Sequence, residues 1–245
     1  MTDDESRWRK AQKSQRKFWQ SRNRMTHNER IGATLWYERI SHGFDLNYDF
    51  FNNKDILEVG CGATGIIFFL ENAKTRIGIE PMDVNDLIED WKRPFIRKGI
   101  GEKLPFEASS FDVAVCFNVL EHTLDPAKLI REVYRVLRDN GDFLLWFHCL
   151  RNQFRYFQPF LNKIDSIRPH HFTLDEILTL ILNNNNSNIK NDNKSFELIK
   201  QNVYRGLGLP LNQYFPTTRT RIRLLIGTCM VDDVWLWLRK SNRQQ

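Results

Sequence analysis

The sequence predicts an α/β chain whose core is a doubly wound, mostly parallel sheet. Three observations point to it. Short apolar runs alternate with amphipathic stretches from Asp55 to Phe147, the order that lays helices on both faces of a sheet. The run Asp112 to Phe117 (D-V-A-V-C-F) is nearly continuous apolar, as a parallel strand covered on both faces requires. A glycine-rich turn, Gly60-Cys61-Gly62-Ala63-Thr64-Gly65, stands between a strand pattern and a helix pattern, where the ligand crevice of such sheets opens.

Each element has its own reason. Asp55 to Val59 reads as the first strand, and the apolar run Ile66 to Leu70 as a helix packed on the sheet. Thr75 to Glu80 is a second strand, closed by Pro81, which cannot donate to a continuing ladder. Val84 to Trp91 fits a helix and Phe95 to Ile100 a weak third strand; Asp112 to Phe117 is the fourth. Pro126 to Arg138 places Leu129, Ile130, Val133, Val136 and Leu137 on one helical face, with Lys128, Arg131, Glu132, Arg135 and Arg138 on the other. Asn140-Gly141 is expected to cap its C-terminus, and Phe143 to Phe147 forms the fifth strand. Thr173 and Glu176 form a capping box for a helix over Leu174 to Leu182. Asn183 to Asn193 reads as a surface loop, and Phe196 to Tyr204 and Val234 to Arg239 as two last strands. The chain divides into an N-terminal helical extension (1–50) and one sheet domain (51–245).

Composition sets the bounds. The 245 residues are 41% hydrophobic, which excludes collagen-like, wholly disordered and disulfide-scaffold classes. No run approaches the ~18 apolar residues of a membrane span, and the basic N-terminus lacks a signal-peptide core. Cys61, Cys116, Cys149 and Cys229 form no CxxC pair, so no structural metal is expected and a reducing cytoplasm is the simplest compartment. The net charge of +6 is a mild hint of anionic partners. It is concentrated between Arg7 and Arg30, where bases interleave with Trp8, Phe18 and Trp19. A helix there would gather Trp8, Ala11, Gln15 and Phe18 into one stripe, which would dock on the domain and cap the acceptor site.

The glycine loop satisfies G-x-G-x-x-G, and Glu80 follows at the end of the second strand, so a dinucleotide fits on spacing alone. Glu58 argues otherwise. Its carboxylate precedes the glycines and would repel a pyrophosphate, whereas the ammonium and sulfonium of S-adenosyl-L-methionine suit it.

Four blocks carry a more specific likeness: I-L-E-V-G-C-G-A-T-G, I-G-I-E-P, L-P-F-E-A-S-S-F-D-V-A-V-C-F-N-V-L-E-H-T-L-D-P and R-E-V-Y-R-V-L-R-D-N-G-D-F-L-L-W. Together they resemble the class I S-adenosylmethionine-dependent methyltransferases, in the small-molecule subgroup often called type 11. The resemblance implies a Rossmann-like sheet of seven strands, one of them antiparallel near the C-terminus. It implies that Glu58, Gly60, Cys61 and Gly62 line the methionine moiety, that Glu80 holds the ribose hydroxyls, and that Pro81 and Met82 adjoin adenine. Asn118 would face the amino-acid part. Thr64 replaces a usual glycine, which hands that role to Gly65. Ile100 replaces a usual acid, which leaves adenine to the backbone around Gly101 and Glu102.

Methyl transfer asks for alignment and, for some acceptors, a base. Among His122, His148, His170, His171 and Glu121, His122 ranks first because it follows the fourth strand at the crevice; His171 ranks second. No N/D-P-P-Y/F run marks an enzyme of exocyclic base amines, and no Asp/Asn cluster marks a catalytic magnesium. The expected acceptor is a small molecule or a glycan- or lipid-linked one, methylated at oxygen, nitrogen or carbon. Phe154, Tyr156, Phe157 and Phe160, with Arg151 and Arg155, are expected to line its pocket or to pack on the sheet. Nucleic acid gripped by the basic helix is the less favoured partner, and a non-catalytic scaffold the third alternative.

Overall fold

The computed structural model describes residues 3–22, 29–164, 168–182, 195–206 and 229–241. Apolar alternation becomes seven strands: β1 (Asp55–Val59), β2 (Thr75–Glu80), β3 (Ile96–Lys98), β4 (Phe111–Phe117), β5 (Leu137–Leu150), β6 (Phe196–Arg205) and β7 (Val231–Lys240). They form one sheet in the order β3-β2-β1-β4-β5-β7-β6. The first five pair in parallel, and β7 runs antiparallel to both of its neighbours. The one reversed strand near the C-terminus therefore stands where it was expected.

The helices are α1 (Asp3–Arg22), α2 (Glu29–Phe44), α3 (Pro126–Val136), α4 (Gln158–Ile164) and α5 (Leu174–Leu182). One face of the sheet packs Leu57, Ala114, Phe143 and Leu145 against Leu129, Ile130 and Val133 of α3 and Ile177 and Ile181 of α5. The other face packs Ile56, Val113, Val115, Phe117 and Trp235 against Trp36, Ile40 and Phe44 of α2. Each fully buried Val, Leu, Ile or Phe among these is worth about 1.5–3 kcal/mol over an exposed one. The expected 1–50 extension thus divides: α2 belongs to the core, and α1 crosses the glycine loop.

Local expectations fared unevenly. Asp125 caps α3 by accepting the Lys128 N–H at 2.9 Å. Thr173 and Glu176 exchange both capping-box hydrogen bonds, at 2.9 and 3.4 Å. The helix expected over Ile66 to Leu70 is a single 3-10 turn, Ile66–Phe69. No helix forms over Val84 to Trp91. Asp83 Oδ1 takes the Asn85 N–H at 3.1 Å, a local turn that competes with helix, and a 3-10 turn follows at Asp90–Phe95. Asn140-Gly141 does not cap α3, which ends at Val136. The left-handed residue is Asn140 (φ 59°), inside an irregularity where β5 slips its register on β4 between Phe111 and Val113. Asn183 to Asn193 lie outside the described residues.

Candidate cofactor and active site

The crevice lies at the carboxyl ends of β1, β4 and β5, where the chain crosses from one side of the sheet to the other. β1 ends in a turn at Gly60 (φ +74°), and Gly62 is again left-handed (φ +53°). Thr64 O accepts the Trp36 Nε1–H at 2.7 Å, which fastens the loop to α2. Gly65 leads into the 3-10 turn, and a Cβ there would come 2.4 Å from Glu58 Oε2. Gly65 therefore lets the loop pack directly on Glu58.

Glu58 does not stand free in the crevice. It is 2% exposed, and its two oxygens accept the N–H groups of Ile66 (3.3 Å) and Ile67 (3.1 Å). Burial, with some help from the Glu80 charge, pushes its carboxyl up to about 7 against those hydrogen bonds. Glu80, 4% exposed, accepts the N–H of Gly62 (2.9 Å) and of Met82 (3.1 Å), and burial raises its carboxyl too. Among the described ion pairs, neither acid meets a cationic side chain. Asn118, left-handed at φ +60°, donates its N–H to Trp146 O at 2.7 Å and buries an Oδ1 with no hydrogen-bond partner. The floor of the crevice is thus rich in hydrogen-bond acceptors, with two carboxyls whose charge burial disfavours. It suits a cationic ligand that donates hydrogen bonds and opposes a pyrophosphate.

Three further expected residues pack within the protein. The Cys61 side chain packs with Ile67 and Phe68, and burial beside two acids holds its thiol well above the ordinary range. Gly101 lets Leu129 and Val59 close on the backbone. Glu102 accepts the N–H groups of Leu124 (2.7 Å) and Asp125 (3.2 Å), beneath the loop after β4.

The histidines separate into three places. His122 is half-buried in the 3-10 turn Leu120–His122 that directly follows β4. His170 bonds that loop through Nε2 to Thr123 O (3.0 Å), while its N–H reaches Glu121 O (3.3 Å). His171 Nδ1 meets Asn162 Oδ1 at 2.9 Å, which ties it to α4. His148 faces Asp233 across the β5–β7 register, with Nδ1 3.2 Å from Oδ1 but out of line for a hydrogen bond. Asp233 also accepts indole N–H groups from Trp146 and, at 3.1 Å, Trp235. Sequence reading missed this pair, whose only signal is the register of two strands distant in the chain.

The aromatic segment after β5 stands largely in solvent: Tyr156 is 87% exposed, Phe157 53% and Phe160 58%. Arg151 instead bonds Asp232 and Cys229 O, each at 2.7 Å. No helix among the described residues is long and apolar enough to cross a membrane.

Residues 57–145 match the family model described as a methyltransferase domain. A probable S-adenosylmethionine-dependent methyltransferase of Mycolicibacterium smegmatis is 34% identical over 112 residues, 44% of this chain and 41% of that protein. A tRNA U34 carboxymethyltransferase of Nautilia profundicola is 34% identical over 126 residues, 48% of this chain and 42% of that protein. The chain thus spans about two fifths of the length of these relatives. Among solved structures, YcgJ of Bacillus subtilis superposes with a TM-score of 0.59 at 17% identity, covering 87% of this chain and 99% of that one. A geranyl diphosphate methyltransferase in complex with S-adenosylmethionine gives 0.63 at 14% identity, covering 86% of each. Residues 57–145 thus match a methyltransferase domain, and the chain shares the seven-stranded fold of solved methyltransferases, so it is similar to the class I S-adenosylmethionine-dependent methyltransferases over that region.

Proposed function

We propose that this chain transfers a methyl group from S-adenosylmethionine to a small or medium-sized acceptor, at oxygen, nitrogen or carbon. One observation supports it above the others: two buried carboxylates, Glu58 and Glu80, and the orphaned Asn118 Oδ1 flank one glycine loop. When bound, the cofactor supplies an electrophilic methyl on a sulfonium.

The chain's own residues then do three things. Glu80 spends one acceptor position of each oxygen on Gly62 and Met82 and keeps others for two ribose hydroxyls. Glu58 and Asn118 favour a cationic amino-acid end, because a positive group beside Glu58 restores the charge that burial suppresses. His122, on the rim after β4, takes the proton of an acceptor that must lose one. His171 is assigned a holding role, since Asn162 occupies its Nδ1. We place the chain in the cytoplasm, in keeping with its four free cysteines.

The test has two stages. Calorimetry should show binding of S-adenosylmethionine with NAD silent; tight NAD binding and no response to the sulfonium compound sinks the reading. Incubation with labelled cofactor and fractionated cell extract should then label the small-molecule, lipid or polysaccharide fraction. Label confined to RNA would instead favour the activity class of the tRNA-modifying relative, and should then fall steeply with salt.

A further inference from the structure

The glycine loop is not bare. A Cβ built on Gly62 would lie 3.2 Å from Cζ2, 3.4 Å from Cε2 and 3.7 Å from Nε1 of Trp19, so the indole of α1 fills the space this glycine leaves open. The same ring packs against Ala63, Val84 and Leu87, together with Met82 and Ile96. Trp19 therefore bridges the loop after β1 and the loop after β2. Three residues earlier on α1, Arg16 Nη2 meets both oxygens of Asp86, at 3.0 and 2.9 Å, and Nη1 meets Asp83 O. These contacts pin the helix across the two loops that Glu80 joins.

We propose that Trp19 is an internal occupant of the cofactor cleft, and that S-adenosylmethionine and the docked α1 compete for the face of Gly62. The inference rests on the proposed cofactor site, which puts Gly62, Glu80 and Met82 around one ligand. An indole in van der Waals contact with the loop leaves no layer between them for a second group. A flat aromatic ring laid against a glycine and flanked by Met82 also offers the loop the apolar cover that a bound nucleoside would give. The latch is weak: Arg16 and Asp86 are 36% and 53% exposed, and ion pairs so wetted hold little. Cofactor binding thus exchanges one aromatic cover for another and frees α1, with its basic residues, from the loop.

The experiment is calorimetry of the full chain with S-adenosyl-L-homocysteine, alongside Trp19→Ala and Arg16→Ala. An occupant that closes the site raises the apparent Kd to the intrinsic Kd divided by the open fraction, so Trp19→Ala should bind several-fold tighter than the parent and Arg16→Ala, which loses only the weak latch, tighter by a smaller factor. Arg16→Ala keeps the ring and loosens only the latch, which guards against a Trp19→Ala chain that folds poorly. Saturating ligand should also speed tryptic cleavage at the lysines and arginines of α1 in the parent chain. Equal or weaker binding by both variants, or slower cleavage, overturns the proposal and makes α1 a roof over the ligand instead. Silence of all three chains overturns the cofactor reading itself, a separable outcome.

Discussion

Glu80 Oε2 accepts the N–H of Gly62 at 2.9 Å, so the acid at the end of β2 also sets the shape of the loop after β1. Removing it has two effects. On the proposed cofactor site, Glu80→Ala forfeits hydrogen bonds from ligand hydroxyls, and it lets the loop relax by removing the Gly62 and Met82 hydrogen bonds. Cofactor affinity should fall by on the order of 1.5–3 kcal/mol, the range for hydrogen bonds to charged groups. Calorimetry with S-adenosylhomocysteine reads this, and an unchanged affinity would remove Glu80 from the site.

Glu58 should make stability depend on pH. Its carboxyl titrates near 7 in the folded chain against an ordinary 4.5, so folding favours the protonated form. The sign follows: stability falls as pH rises from about 4.5 to 7, by roughly 3 kcal/mol in all, and the deficit stays above that window. Carboxylates held low by partners, such as Glu132 beside Arg135, act oppositely and at lower pH. Urea unfolding of the parent and of Glu58→Gln, compared at pH 5 and pH 7.5, isolates the contribution of this carboxyl. The difference between the two chains should shift towards the variant as pH rises; a constant difference contradicts the assignment. A cationic cofactor should likewise bind more tightly as pH rises through the same window in the parent only.

Gly65→Ala tests the close packing of the loop. The glycine's φ of −55° suits alanine, so no backbone strain is involved. The added methyl would stand 2.4 Å from Glu58 Oε2, 2.9 Å from Cys61 Cβ and 3.0 Å from Cys61 O. Overpacking of this kind costs about 1–3 kcal/mol. The urea midpoint should drop with an unchanged slope, and cofactor binding should weaken with it.

The sheet was legible because strands such as Asp112 to Phe117 declare their double burial in composition, and Val113 through Cys116 are indeed fully buried. The candidate site was legible where it is local: the glycines, Glu58 and Glu80 lie within one strand–loop–strand unit. Helix signals failed where short-range chemistry outweighed apolar spacing, as at Asp83 and Asn85. Contacts between distant segments left no local trace. Trp19 on Gly62 depends on how α1 crosses the sheet, and His148 beside Asp233 on a register that only the inserted β7 creates.

That last pair bears on the base. His122 sits on the rim immediately after β4, whereas His148 has the carboxylate neighbour that commonly orients a catalytic imidazole, and resting geometry in such pairs is often out of line. The two readings part in kinetics. With the labelled extract fraction as acceptor, His122→Ala should lower turnover about 10²-fold or more while cofactor affinity stays within a factor of a few. Any histidine-dependent limb of the pH–rate profile should vanish with it. Asp233→Asn should then change stability, through the Trp146 and Trp235 indoles it holds, and leave that limb in place. If instead His122→Ala keeps the limb while His148→Ala and Asp233→Asn both lose it, the proton goes to His148. Asp233 is then its positioning residue, and His122 only fixes the loop after β4. A limb that survives all three substitutions removes histidine from the chemistry and leaves transfer to alignment alone.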